Sequence, residues 1–227
     1  MILQRLLILV ALLAPGALGA TPASASDSLQ ENCSRASTDG VVECSAGLDE
    51  PSIARIQTAQ EMPQWCWAAS VSMILGFHGQ QVAQSQIVAD RFGAVVDQPA
   101  TSADDMTQAL ARPRAGGAAP PVVVTALTAA SAPAGKTAPA LHLNHQAVLD
   151  ELRARRPMLI GTAGHAMVLV RVRYQRFANG AARVMGGTII DPLPGQGVRE
   201  LASREMRVSY LAMVREAATV IALAGTR

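Results

Sequence analysis

Cys66 carries the most chemistry of any residue in this chain. It stands between Trp65 and Trp67, the chain's two tryptophans, shortly after Pro63. The spacing of Ala68, Val71, Ile74 and Leu75 predicts a helix over 63–75, because proline is tolerated in a first helical turn and Gly76 and Gly79 read as a stop. A cysteine in such a first turn faces unpaired backbone N–H groups and the positive end of the helix dipole, which together favour an anion. There a thiol pKa falls from about 8.5 to between about 3.5 and 7.5, most of all beside a protonated histidine. The thiolate is the nucleophile, so the chemistry on offer is attack on a carbonyl carbon. That chemistry also needs a general base, a group to orient the base, and donors for the oxyanion.

The base must come from His78, His142, His145 or His165. His78 falls at a glycine-bounded helix end and His142 and His145 border a helix start, positions that suit surface or capping residues. His165 stands between Gly164 and Ala166 where a strand begins, and Gly161 and Gly164 let another backbone or a substrate come close. Taken alone, His165 reads as a satisfied core residue; its neighbours decide otherwise below.

The elements that must position these groups change character along the chain. Ser85 is expected to cap a second helix ending near Phe92 before Gly93, and Ser102 with Asp105 makes a capping box for a third, ending near Ala111. Residues 112–140, rich in Ala, Pro and Gly, read as a long loop with one short strand at Val122-Val123-Val124. Asn144 caps a helix to about Arg155. After Pro157 the period becomes that of strands: Met158 to Ile160, Ala166 to Tyr174, and Val184 to Ile190, the last two joined at Asn179-Gly180 by a hairpin. Helices first and an antiparallel sheet second is an α+β arrangement.

The segment Gln60-Glu61-Met62-Pro63-Gln64-Trp65-Cys66-Trp67-Ala68-Ala69-Ser70 resembles the active-site segment of papain-like cysteine peptidases, with a glutamine six residues before the cysteine and then C-W-A-x-S. Gly164-His165-Ala166-Met167-Val168 resembles the strand that carries their histidine. Ile190-Asp191-Pro192-Leu193-Pro194-Gly195 is similar to a D-P-x-P-G segment in a bacterial branch related to the bacteriocin leader peptidases and to a plant-pathogen effector protease. The resemblance covers roughly residues 51–215. It implies a papain-like fold, with Cys66 as nucleophile, His165 as general base and acid, Asp191 orienting the imidazole, and Gln60 donating to the oxyanion beside the Cys66 backbone N–H. Trp65, Trp67 and Gly164 are expected to contact substrate. The third member is Asp where papain has Asn, and Leu193 stands where the bacterial branch leads one to expect an aromatic.

Strand parity tests whether Asp191 can reach His165. With a two-residue turn at Asn179-Gly180, Asp191 would oppose Val168, an odd number of residues from His165 and therefore on the other face of the sheet. A three-residue loop, Ala178-Asn179-Gly180 with Gly180 left-handed, puts Asp191 opposite Met167, on the face of His165 and about 7 Å along the strand. A bulge at Gly186-Gly187 would also restore the parity, at a longer reach. The three-residue loop is expected.

Composition bounds the rest. The chain has 227 residues, 50% hydrophobic, with 19 Lys+Arg against 17 Asp+Glu, so it is globular and lacks the basic stripe of a nucleic-acid binder. Arg5, the apolar run Leu6 to Leu13, and Ala23-Ser24-Ala25 read as a secretory signal over 1–25, cleaved after Ala25 or at Ala20. A secreted or periplasmic protein of a bacterium is expected, monomeric and with no stable membrane insertion after cleavage. Residues 26–50 read as a polar, loop-like segment and candidate prosegment; 51–227 read as the peptidase domain. In an oxidising compartment Cys33 and Cys44 suit a short disulfide loop, leaving Cys66 over; pairing of Cys66 with either, or an inert buried thiol, is open on spacing alone. No CxxC or close Cys/His pair suggests a metal, and no cofactor is expected. The reading is a hydrolase of peptide or isopeptide bonds acting through a thioester, with peptides or proteins as partners. An acyltransferase of transglutaminase type and a binding module with a relict site are the alternatives.

Overall fold

The computed structural model describes residues 31–113, 120–129, 141–143, 146–162 and 164–217. The expected signal segment, Asn144 and its cap, His145, and much of the stretch 112–140 lie outside the described residues. No helix among the described residues is long and apolar enough to cross a membrane.

Helices dominate the first half. Helix α1 (Glu50–Ile56) is capped by Asp49, whose carboxylate accepts the Ser52 N–H at 2.9 Å, with a proline in its first turn and Ile53 and Ile56 facing inward. Helix α2 (Cys66–Phe77) buries Trp67 through Val71 and Met73 through Leu75, so it is apolar nearly all round and runs through the core. It starts three residues later than expected because Pro63 and Gln64 belong to a loop folded around the Gln60 side chain, and it passes through Gly76 before stopping at Phe77. Helix α3 (Gln84–Phe92) ends at Gly93 with φ +76, the left-handed stop that glycine adopts without steric cost. Ser85 is not its cap. The helix begins at Gln84, whose amide turns inward to accept the Glu61 N–H at 3.0 Å and donate to the Ala59 carbonyl at 2.8 Å. In helix α4 (Ala103–Ala111) Asp105 reaches back to the Ser102 N–H at 3.2 Å, the acidic half of the expected capping box.

The second half supplies most of an eight-stranded antiparallel sheet. Strands β1 (Glu31–Cys33), β2 (Val42–Gly47), β6 (His165–Arg176), β5 (Met158–Thr162), β10 (Tyr210–Glu216) and β3 (Val122–Thr128) follow in that order, while β7 (Ala182–Asp191) and β8 (Gly197–Glu200) continue from the other edge of β6. A two-stranded ribbon pairs β4 (Leu141–His142) with β9 (Arg207–Val208), and α5 (Gln146–Arg153) covers the sheet face opposite α2. On the α2 face Leu159, Val168, Val170 and Ile190 pack with Trp67 and Val71. On the other face Ile160, Met167, Leu169 and Ile189 pack with Leu149 and Leu152. Strand alternation thus divides the core into two layers.

The β6–β7 hairpin closes as parity requires. Phe177 pairs with Ala181 across a three-residue loop, the Phe177 N–H bonding the Ala181 carbonyl at 2.9 Å, and Gly180 has φ +82. Further on, one residue is added in each strand, Met185 in β7 and Val170 in β6. The two irregularities cancel, so Val168 faces Ile190 and the register at the site is that set by the loop.

Residues 31–47 are not the loop expected for the polar N-terminal segment. β2 pairs with the distal half of β6 from Val42↔Arg176 to Gly47↔Arg171, burying Cys44 and Ala46 while Glu43 and Ser45 point outward. The boundary drawn at residue 51 therefore cuts through the sheet. Cys33 and Cys44 are directly paired in register and joined by a disulfide. Closing a loop of this length should stabilise the protein by about 2 to 3 kcal/mol, so a Cys33→Ser/Cys44→Ser variant is expected to unfold at correspondingly lower denaturant. A midpoint unchanged under non-reducing conditions would contradict that contribution.

Candidate active site

Cys66 is the first residue of α2, half-buried, with Trp65 at the cap position and no acidic residue in the first turn to compete for its N–H groups. His165 opens β6, and the sheet brings it to the start of α2. Its Nε2 lies 2.8 Å from Asp191 Oδ1, which leaves Nδ1 as the nitrogen available to Cys66 in the cleft that both residues line. Burial pushes the thiol up. The His165 hydrogen bond, the Ala166 and Trp67 backbone N–H groups and the imidazolium charge pull it down by more, so Cys66 ionises below its ordinary range. For His165 the balance runs the other way: burial lowers its pKa, but Cys66 and Asp191 raise it further, to a net value above ordinary. Both shifts run in the direction that favours a thiolate beside an imidazolium.

Asp191 ends β7 and is 2% exposed. Burial raises its pKa, yet the Leu193 N–H, His165 and Arg199 more than offset that and keep it ionised. Its Oδ1 accepts from Leu193 N at 3.0 Å as well as facing His165. Its Oδ2 accepts from Arg199 Nε at 2.9 Å and Nη2 at 2.7 Å. Arg199 in turn grips both oxygens of Glu205, each at 2.8 Å. Sequence reasoning missed Arg199 and Glu205. The available signal was the requirement that a buried carboxylate have a counter-ion, which the strand after the D-P-x-P-G turn is placed to supply.

Gln60 is buried and close by, its backbone N–H bonding the Pro192 carbonyl at 2.7 Å and so tying the loop before Cys66 to the turn after Asp191. Its side-chain Nε2 donates to the carbonyls of Met62 at 2.9 Å and Pro63 at 2.7 Å, and its Oε1 is buried with no hydrogen-bond partner. The amide hydrogens are therefore committed within the loop, not held free for an oxyanion.

Trp65 does not contact the cleft. It is 2% exposed and its Nε1 donates to the Val96 carbonyl at 2.9 Å. A large aromatic with one polar atom is best satisfied by burying the ring and giving the N–H to a carbonyl, and here that anchors the segment after α3. Trp67 does the same with the Gln98 carbonyl at 3.1 Å, yet this residue also lines the cleft. The cleft, about 420 Å³, runs from Cys66 and His165 between Pro99 to Asp104 on one side and Thr128, Ala129, Ser209 and Tyr210 on the other. Asp105 fixes the first wall by accepting from Thr101 N at 2.6 Å and Thr101 Oγ1 at 2.7 Å. No motif or spacing in residues 99–104 marks this wall. Gly164, at φ +82, lines the cleft with open space where a Cβ would stand, whereas a Cβ on Gly161 would come within 3.2 Å of Tyr210 Cβ. Gly161 thus admits the neighbouring strand, and Gly164 is the one open to a ligand. His78 caps the far end of α2 and is buried, not on the surface.

The family model described as the papain-like cysteine protease AvrRpt2 matches residues 45–203 of this chain. No curated protein matches it by sequence. Two solved structures are similar in outline. The peptidase domain of Streptococcus ComA, a bi-functional ABC transporter involved in a quorum-sensing pathway, is 10% identical with a TM-score of 0.46, over 70% of this chain and 97% of that one. A double-glycine-motif protease from an AMS/PCAT transporter, in complex with its leader peptide, is 13% identical with a TM-score of 0.42, over 71% and 91%.

Proposed function

The chain belongs to the AvrRpt2 family of papain-like cysteine proteases, and from that premise we propose that it is an exported peptidase in which Cys66, His165 and Asp191 act as a triad through a thioester intermediate. The observation that carries this reading is that Cys66 and His165 line one cleft with His165 Nε2 held 2.8 Å from the buried Asp191 carboxylate, an arrangement that lowers the thiol pKa.

In the proposed reaction the thiolate attacks the scissile carbonyl carbon and the carbonyl oxygen becomes an oxyanion at the start of α2, beside the Cys66 backbone N–H. His165 gives its proton to the departing amine, leaving an acyl thioester on Cys66. Water then attacks the thioester while His165 takes its proton, and the thiol leaves as the anion. Asp191 holds the ring so that the nitrogen facing Cys66 is the one that moves the proton. The rate should rise with pH as the thiol ionises below its ordinary range and fall as His165 loses its proton above its own. Rapid acid quenching during turnover should reveal an adduct on Cys66 with the mass of the acyl fragment. Turnover without any such adduct, in wild type and with a slow ester substrate, would exclude the thioester route.

Gln60 enters this reaction when substrate arrives and one amide hydrogen leaves its loop carbonyl for the oxyanion, a tightening that free enzymes commonly await. Gln60→Ala should then lower the turnover number by about 10²-fold with little change in KM. A normal turnover number with a lowered melting temperature would leave the side chain as a loop staple alone.

Export rests on the basic start, apolar run and Ala23-Ser24-Ala25 of the sequence, and a disulfide at Cys33–Cys44 suits an oxidising compartment. N-terminal sequencing of protein recovered from outside the bacterial cytoplasm should begin at Ser26; recovery of intact Met1 protein in the cytoplasm would contradict export.

A further inference from the structure

The groups behind the site alternate in charge, and the alternation extends beyond the triad. His165, whose charged form is favoured, stands between Cys66, whose anion is favoured, and Asp191 (negative). Asp191 Oδ2 is held by two nitrogens of Arg199 (positive), and Arg199 is held by both oxygens of Glu205 (negative). Each group comes from a different element: α2, β6, β7, β8 and the 3-10 turn Ser203–Met206. A two-nitrogen fork onto one side of a carboxylate fixes its orientation as well as its charge, a geometry that arginine provides and lysine does not.

We propose that Arg199, braced by Glu205, is a positioning residue for the peptidase reaction: its fork on Asp191 Oδ2 turns Oδ1 toward His165 and sets how much negative charge the imidazole meets. This rests on the reading of Cys66 and His165 as nucleophile and base.

The signs follow from Coulomb attraction along the chain. Without Arg199, the buried Asp191 has His165 as its remaining cation and holds the imidazolium more tightly. Without the Glu205 charge, Arg199 neutralises Asp191 more completely and the imidazolium is held less tightly. Among the described residues, other charged or titratable groups around the site are Asp104 and Tyr210 on the cleft walls and Arg204 beside Glu205; the variants below leave all three unchanged. Met167 Sδ, 3.4 Å from Arg199 Nη2, is the neutral neighbour on β6.

The test is the titration of the His165 ring C–H resonance by NMR, assigned by its absence in His165→Ala, in the full chain. Arg199→Met should raise the pH at which the ring loses its proton by about one unit. Glu205→Gln should lower it by roughly half a unit. Arg199→Lys, with charge but no fork, should titrate close to wild type and yet share with Arg199→Met a roughly tenfold loss of peptide turnover. Unmoved titrations, or shifts of the same sign in Arg199→Met and Glu205→Gln, would overturn the proposal. Should Arg199→Met fail to fold, Glu205→Gln decides alone, since it keeps the Arg199–Asp191 fork and alters one partly exposed group. The ring titration does not depend on turnover, so a wild-type protein that cleaves no peptide would remove the peptidase reading while leaving the charge chain to be judged by its own result.

Discussion

Cys66→Ala protein is expected to lose peptide turnover by about 10⁶-fold while its unfolding midpoint stays close to wild type. The size follows from the proposed role of Cys66 as nucleophile of a unit whose members act together, so that what remains is the modest catalysis of the cleft and its backbone donors. The fold should be spared because Cys66 is half-buried at the N-terminal end of α2, whose interior is held by Trp67, Val71, Ile74 and Leu75. Removing a sulfur there leaves a small gap open to the cleft and not a sealed cavity. Steady-state kinetics and a denaturant titration on the same preparation check both halves. Retained turnover would remove Cys66 from the chemistry, and a collapsed midpoint would recast it as a core residue.

Asp191→Ala is expected to cost both activity and stability. Turnover should fall by about 10⁴-fold, because His165 loses the group that fixes its ring and favours its charged form. Stability should fall by about 3 kcal/mol, because His165 and Arg199 lose the buried anion they share and Glu205 stays paired with Arg199 alone. The pH dependence of that difference has a definite sign. Asp191 is held below its ordinary pKa, so its contribution is present above the ordinary carboxylate range and disappears as pH falls below about 4. His165 is held above its ordinary pKa, so its contribution is complete below about 6.5 and is lost as pH rises through the raised value. The gap between wild type and variant should therefore be widest between about pH 4 and 6.5, and a gap independent of pH would contradict the pairing. Denaturant unfolding across that range measures it.

The parts of the site that were legible in the sequence are those with local causes. Cys66 was legible because a helix start and its composition are local, and the α+β division because the period of apolar residues changes after Pro157. The hairpin was legible because parity admits few solutions and a left-handed Gly180 makes one of them easy; the added residues at Val170 and Met185 were not, and they left the answer intact only because they cancel. What stayed hidden depends on distant partners. Arg199 meets Asp191 through the pairing of β7 with β8, and Glu205 meets Arg199 through the turn that follows, neither marked by spacing in the chain. Trp65 has the size of a substrate contact, and only the position of Val96 shows that it is an anchor. In the β1–β2 hairpin only β2 alternates, Cys44 and Ala46 inward against Glu43 and Ser45 outward, too short a pattern to separate from a polar loop. Gln60 shows the same limit on a smaller scale: its type suggests a donor, and its loop carbonyls take that donor in the free protein.

The central claim, hydrolysis through Cys66, is tested most directly by digesting a peptide library in water enriched in oxygen-18 and reading the products by mass spectrometry. Hydrolysis of the thioester by water predicts new C-terminal carboxylates carrying one heavy oxygen, produced by wild type and absent with Cys66→Ala. Products joined through new amide bonds without heavy oxygen, or the same labelled carboxylates from Cys66→Ala, would contradict it.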